Sequence, residues 1–159
     1  VTAMQTGAPA GVNGLIFARE GVSQYGLDWL TVRLPSGRKL YYAQPSMSAN
    51  RFGNESIHYM GMDQKTKKWG PQETYGGKLV ENIVQAIARD CLAVSMLRLE
   101  AAGYPIVMHI HDEVVLDIPE AMADMDRIYG IMGQPIDWAP GLPLRADGFT
   151  SAYYKKDYV

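Results

Sequence analysis

The sequence is short of cysteine, of long apolar runs and of net charge, and each shortage removes a class of protein. Its one cysteine, Cys91, cannot close an internal disulfide, which excludes a disulfide-stapled scaffold. Cys91 lies in an apolar-periodic stretch, which predicts a buried thiol in a reducing compartment. No apolar run approaches the roughly 18 residues needed to cross a bilayer, and no charged-then-apolar leader opens the chain, so the reading is a cytoplasmic protein without a membrane segment. The net charge of -2 argues against a protein that coats nucleic acid by charge alone. What is present is ordinary for a folded chain: 47% hydrophobic and 10% aromatic residues over 159 positions predict one compact domain, 1–159, and not disorder.

The charge is unevenly placed. Residues 1–100 carry 11 Lys/Arg against 8 Asp/Glu, a net +3, and residues 101–159 carry 4 against 9, a net -5. A divalent-cation site tolerates the acidic part, because the ion offsets local carboxylates, and a phosphate-binding groove needs the basic part.

Local pattern divides the chain. Gly14–Glu20 (GLIFARE) reads as a strand. Trp29–Leu34 and Arg38–Ala43 flank Pro35-Ser36-Gly37, a tripeptide that fixes φ with proline and frees it with glycine, which predicts a hairpin. Ser56–Met62 and Lys68–Thr74 flank the polar, basic stretch Asp63–Lys67 and predict a second hairpin. Lys65, Lys67 and Lys68 with Trp69 would then form a basic-aromatic tip, one that either touches duplex backbone or stays solvated with Trp69 folded onto the sheet. Arg38 and Lys39 pose the same choice beside the first turn.

From Lys78 to Ala102 the period becomes helical. Val80, Ile83, Val84, Ile87, Cys91, Val94 and Arg98 form one stripe, opposite Lys78, Glu81, Asn82, Gln85 and Arg89. Gly103 and Pro105 end this helix. The β-rich runs Pro105–Ile110 and Val114–Ile118 follow, separated only by His111-Asp112-Glu113, which predicts a tight hairpin with an acidic turn. Pro119 and Glu120 then suit the start of a second helix, about 119–132. A proline-rich loop, 134–143, leads to a last strand at Leu144–Tyr154. Hairpins interspersed with two helices give an α+β fold with an antiparallel sheet.

Adjacent carboxylates at the tip of two strands suit a hard divalent cation that keeps waters and accepts phosphate oxygens. A plain polar turn satisfies the same residues. His109 and His111 alternate on one strand and would face one side, which keeps open a metal hydrolase; His58 is the only other histidine available as a ligand.

HIHDEVVLD (His109–Asp117), preceded by YGGKLVENIVQAIARD (Tyr75–Asp90), resembles the C-terminal palm of family A DNA polymerases, particularly the bacteriophage-type branch. His111-Asp112-Glu113 is similar to that family's motif C, and the Lys78–Ala102 helix to the helix before it. LPSGRKLYY (Leu34–Tyr42), KKWGPQETYGGK (Lys67–Lys78) and GFTSAYYKKD (Gly148–Asp157) also resemble this branch, in the same order. The resemblance implies a palm-type antiparallel sheet carrying the motif C hairpin, and a DNA-directed DNA polymerase using two Mg²⁺ or Mn²⁺ ions. Asp112 would ligate the metals, Glu113 would help shape their site, and His111 would help place the primer terminus. One metal would lower the pKa of the primer 3′-hydroxyl and the other would neutralise the triphosphate. Primer-template DNA and deoxynucleoside triphosphates would be the partners. Gln85 would check pair shape in the minor groove, where every base pair offers similarly placed acceptors. Asn82 would join it, although family members place that asparagine at the position of Glu81, and Arg89 and Lys78 would contact nucleic acid.

The family also needs a second essential aspartate and a fingers helix that grips the nucleotide. Lys67 and Tyr75-Gly76 have the spacing of the lysine and tyrosine-glycine of that helix. Gly70-Pro71 would break it, and Asp63 occupies the place of its arginine. The chain alone is therefore expected to be an inactive palm portion, its missing pieces upstream of Val1. A non-catalytic nucleic-acid-binding remnant is the alternative.

Overall fold

The computed structural model describes residues 1–22, 26–50 and 52–155; Lys156 and Asp157 of the terminal GFTSAYYKKD segment lie outside them. The chain divides into two units, Val1–Ile87 and Ala88–Val159. Helix α2 (Gly76–Ala101) begins in the first and continues into the second.

The first unit opens with a short helix, α1 (Thr2–Thr6), and then six strands: β1 (Ala10–Val12), β2 (Leu15–Val22), β3 (Leu27–Arg33), β4 (Lys39–Ala49), β5 (Glu55–Met62) and β6 (Trp69–Thr74). They form one antiparallel sheet in chain order, as short connections between successive strands require. The β3–β4 turn is the one predicted: Leu34 N–H donates to Arg38 O at 2.8 Å, and Gly37 adopts φ 89. The β4–β5 register shifts between Ala43 and Ser46, with Gln44 at φ 47. Pro45, which has no N–H for a ladder, sits at that bulge.

The sheet's apolar face carries Leu30, Val32, Leu34, Tyr42 and Ile57, packed with Met4 of α1 and with Ile83 and Ala86 of α2. Tyr42 meets Tyr59 edge-on at 5.0 Å. Burial pushes its phenol pKa up, so the ring stays neutral, and its oxygen accepts from the Asn82 side-chain amide at 3.3 Å. Arg38 donates to the Ala86 carbonyl at 2.8 Å, and Lys39 pairs with Glu20 at 2.7 Å. Both basic residues of the first turn therefore serve the fold.

In the second unit, α2 ends as expected, with Gly103 at φ 87 and the Tyr104 N–H returning to Leu99 O at 2.9 Å. Strands β7 (Ile106–Ile110) and β8 (Glu113–Leu116) form a separate two-stranded antiparallel sheet. Leu99, Tyr104, Ile128 and Ile131 make this unit's core. Burial, followed by the charge of Asp90, pushes the Cys91 thiol pKa up, which keeps it protonated and inert. Among the described residues no helix is long and apolar enough to cross a membrane.

Three sequence expectations need correction. The stripe on α2 is differently phased: the buried positions are Ile83, Ala86, Cys91, Leu92, Ser95 and Leu99, while Val80 and Val84 are exposed. The second helix, α3, runs Met125–Met132, not from 119. Pro119 is extended (ψ 142) and Glu120–Met122 make a single 3₁₀ turn; the true cap is Asp124, whose carboxylate accepts from Arg127 N–H at 3.0 Å. Asp124→Ala should therefore lower stability by about 1 kcal/mol, against nearly none for Glu120→Ala, in urea unfolding followed by circular dichroism. Finally, 144–154 is not a strand. No described strand pairs with it, and Asp147 folds onto the Gly148 N–H (2.8 Å) while Tyr129 O–H donates to Gly148 O (2.9 Å).

Candidate metal and nucleic-acid site

The β7–β8 hairpin is closed by only two residues. Ile110 pairs with Glu113, His109 with Val114 and Met108 with Val115, so His111 and Asp112 form the turn and Glu113 already belongs to β8. Such a turn demands a positive φ, since only the mirror-type turns match strand twist. His111 supplies it at φ 53, a conformation that histidine tolerates better than most residues other than glycine. Strand β8 is anchored beneath by Val114 and Leu116, which pack on the second unit's core. The turn is thus a tight, supported platform.

The side chains of His111 and Asp112 are 72% and 80% exposed, and Glu113 is exposed as well. His111 Nδ1 lies 2.9 Å from Asp112 Oδ1. This bond, with a smaller share from Asp112's own backbone N–H, holds the Asp112 carboxyl below the usual carboxylate range. Its folded pKa lies below its unfolded one, so the associated stability is present above the unfolded pKa and fades as pH falls through the folded one. In an NMR titration of the carboxyl carbons, Asp112 should protonate at lower pH than free aspartate, and His111→Ala should move it back towards the ordinary value. No movement in that variant would remove His111 as the cause.

The Asp112 and Glu113 carboxylates are hard oxygen donors open to solvent, which fits a hard divalent cation. They are also incomplete: among the described residues, no three His, Cys, Asp or Glu side chains are grouped to hold a metal ion.

The two histidines do not act as the alternation rule suggested. Strand β7 stops at Ile110, so His111 lies in the turn, outside the two-residue period. The guanidinium nitrogens of Arg89 lie 3.3 and 3.2 Å from Nδ1 and Nε2 of His109. A fixed cation against both ring nitrogens opposes a metal there, and this disfavours the hydrolase reading. The groove beside this pair, ≈ 460 Å³, is lined by residues including Ala93, Met96, Leu97 and Val107, and neither Asp112 nor Glu113 borders it. The carboxylates sit on open surface.

The remaining candidates are on α2. Gln85 and Arg89 are exposed and Lys78 is half-buried. Asn82 is half-buried and its amide is spent on Tyr42, so it faces the sheet, not the outward face assigned to it. Its place was readable: Asn82 lies three residues after Leu79 and four before Ala86, both of which pack in that core. The Arg89–His109 contact, twenty residues apart in sequence, had no such signal.

Over 141 residues, 84% of the chain, the sequence is 55% identical to a protein of Bacillus phage SP02 named DNA polymerase. The chain is similar to part of a phage DNA polymerase. The match covers 22% of that polymerase, so the chain spans about a fifth of the relative's length. No family model matches the chain, and no solved structure matches it.

Proposed function

We propose that the chain is the C-terminal palm portion, 1–159, of a family A DNA polymerase of the bacteriophage-type branch. Asp112 and Glu113 contribute part of the metal site for template-directed nucleotidyl transfer. The observation that carries this reading is Asp112 itself: an exposed carboxylate, hydrogen-bonded to His111, on a two-residue turn, in a chain of which 84% is 55% identical to part of a named DNA polymerase.

Each residue has a role that its placement permits. Asp112 is the metal ligand, and Glu113, first residue of β8, shapes the site from beside it. His111 orients Asp112 and is exposed enough to reach a primer terminus. Gln85, outward on α2, is suited to the minor groove, and Arg89 and Lys78 to phosphates. Magnesium or manganese, when bound, supplies the positive charge that offsets the triphosphate and acidifies the attacking hydroxyl. Two adjacent carboxylates do not complete such a site, and the sequence offers neither a second essential aspartate nor a nucleotide-gripping helix. The chain alone therefore should not extend a primer. Template-directed synthesis by the isolated chain with Mg²⁺ would overturn that part of the reading; the role of Asp112 is tested separately below.

A further inference from the structure

The tip of the β5–β6 hairpin is not used by the reading above, and its construction is specific. Asp63 turns its carboxylate inward: Oδ1 accepts from the backbone N–H groups of Lys65 (3.0 Å) and Thr66 (2.6 Å) and from the Thr66 hydroxyl (2.9 Å). The Lys67 N–H returns to Asp63 O and the Asp63 N–H to Lys68 O, each at 2.9 Å, and Lys67 adopts φ 55. The one acidic group of the turn is thus consumed in fixing its shape, while Lys65, Lys67 and Lys68 are all exposed. No described residue forms an ion pair with their ammonium groups, in contrast to Lys39, held by Glu20.

Beside them Trp69 is 62% exposed. It is not folded onto the sheet, and its cross-strand partner Met62 is 54% exposed. An exposed indole beside three lysines that no described residue pairs is coherent as a binding surface.

We propose that this tip binds single-stranded DNA, with Lys65, Lys67 and Lys68 on backbone phosphates and Trp69 stacked on an unpaired base. The charge selects a polyanion. The indole selects among polyanions: base faces are hidden in a duplex and available in a single strand, where aromatic stacking is the usual means of holding bases without reading sequence. An acidic protein surface satisfies the lysines and does not require the indole. The inference stands on the hairpin alone and does not require the polymerase reading.

The test is fluorescence anisotropy of a labelled oligothymidylate with the whole chain across a salt series. Trp69→Ala should weaken binding by at least about fivefold, and Trp69→Phe should retain most of it. Replacing all three lysines by alanine should flatten the log-log salt slope by about 2, at roughly 0.7 per phosphate contact on a single strand. The proposal is overturned if the oligonucleotide does not bind, if binding ignores both tip variants in chains that retain the wild-type circular dichroism spectrum, or if a duplex of equal length or polyglutamate binds as tightly. A bound strand released by the tip variants, alongside a polymerase test that fails, would sink the polymerase reading and leave this one standing; the converse result would sink this one alone.

Discussion

Asp112→Ala should cut primer extension by about a hundred- to a thousandfold in a chimera where this chain replaces the matching part of the SP02 polymerase. The size follows from what the carboxylate is asked to do. A group that holds charge-stabilising metal at the reacting phosphate acts mostly in the transition state, and removing one such contribution typically costs 10²–10³ in rate, about 3–4 kcal/mol. Asp112→Asn keeps the shape of the side chain and loses its charge, so a loss nearly as large is expected if ligation is the role. Glu113→Gln should cost less, because Glu113 sits beside the turn and not at its tip. The unsubstituted chimera must extend primer for the comparison to count, and 55% identity over 84% of the chain makes the exchange a modest one. Full activity in the Asp112→Ala chimera would end the assignment of this turn to the catalytic site.

The same turn shows why some of the molecule is legible in its sequence. Its form depends on His111 and Asp112 and on two β-rich flanks, all within a dozen residues, and so does the Leu34–Arg38 turn with its Gly37. Such features are decided by local sterics and propensity. What misled was everything requiring a partner. Segment 144–154 has strand composition, but a strand exists only where another accepts its hydrogen bonds. Pro119-Glu120 is a good helix start, and Asp124 five residues later is a better one, since its carboxylate reaches the Arg127 N–H while Pro119 stays extended. On α2 the apolar residues reach round much of the circumference: Val80, Val84 and Leu97 as well as Ile83, Leu92 and Leu99. A 3.6-residue period then fits more than one stripe, and the packing decides between them. In the candidate site the same division holds. Asp112, Glu113 and His111 were fixed by adjacency, whereas the diversion of Asn82 to Tyr42 and the pairing of Arg89 with His109 depend on contacts 40 and 20 residues distant.

The phase of α2 can be decided with one pair of substitutions two residues apart. Leu99 has no exposed surface, and it packs in the core formed with Tyr104, Ile128 and Ile131. Leu99→Ala removes buried methyl groups and leaves a cavity that its neighbours fill only in part, at a cost of about 2–5 kcal/mol. Leu97 is 73% exposed, and alanine at an exposed helix position has no burial to lose, so Leu97→Ala should stay within about 0.5 kcal/mol of the parent. Urea unfolding of the two variants provides the comparison, and equal costs would mean that the helix is differently phased. The Leu99 variant carries a second consequence. Ile106, Val114 and Leu116 of the β7–β8 hairpin pack against this same core, so loosening it should shorten hydrogen-exchange protection in both strands, while the β2–β3 ladder of the first unit, built on its own core, should keep its protection. Because the His111-Asp112 turn is only as rigid as the strands that carry it, Leu99→Ala should also lower extension by the chimera with Asp112 intact. That loss should be smaller than that of Asp112→Ala and, relative to the parent chimera, should shrink on cooling towards the temperature of maximum stability, typically about 10–20 °C. A ligand substitution would show no such recovery, and this difference separates positioning of the carboxylate from the carboxylate itself.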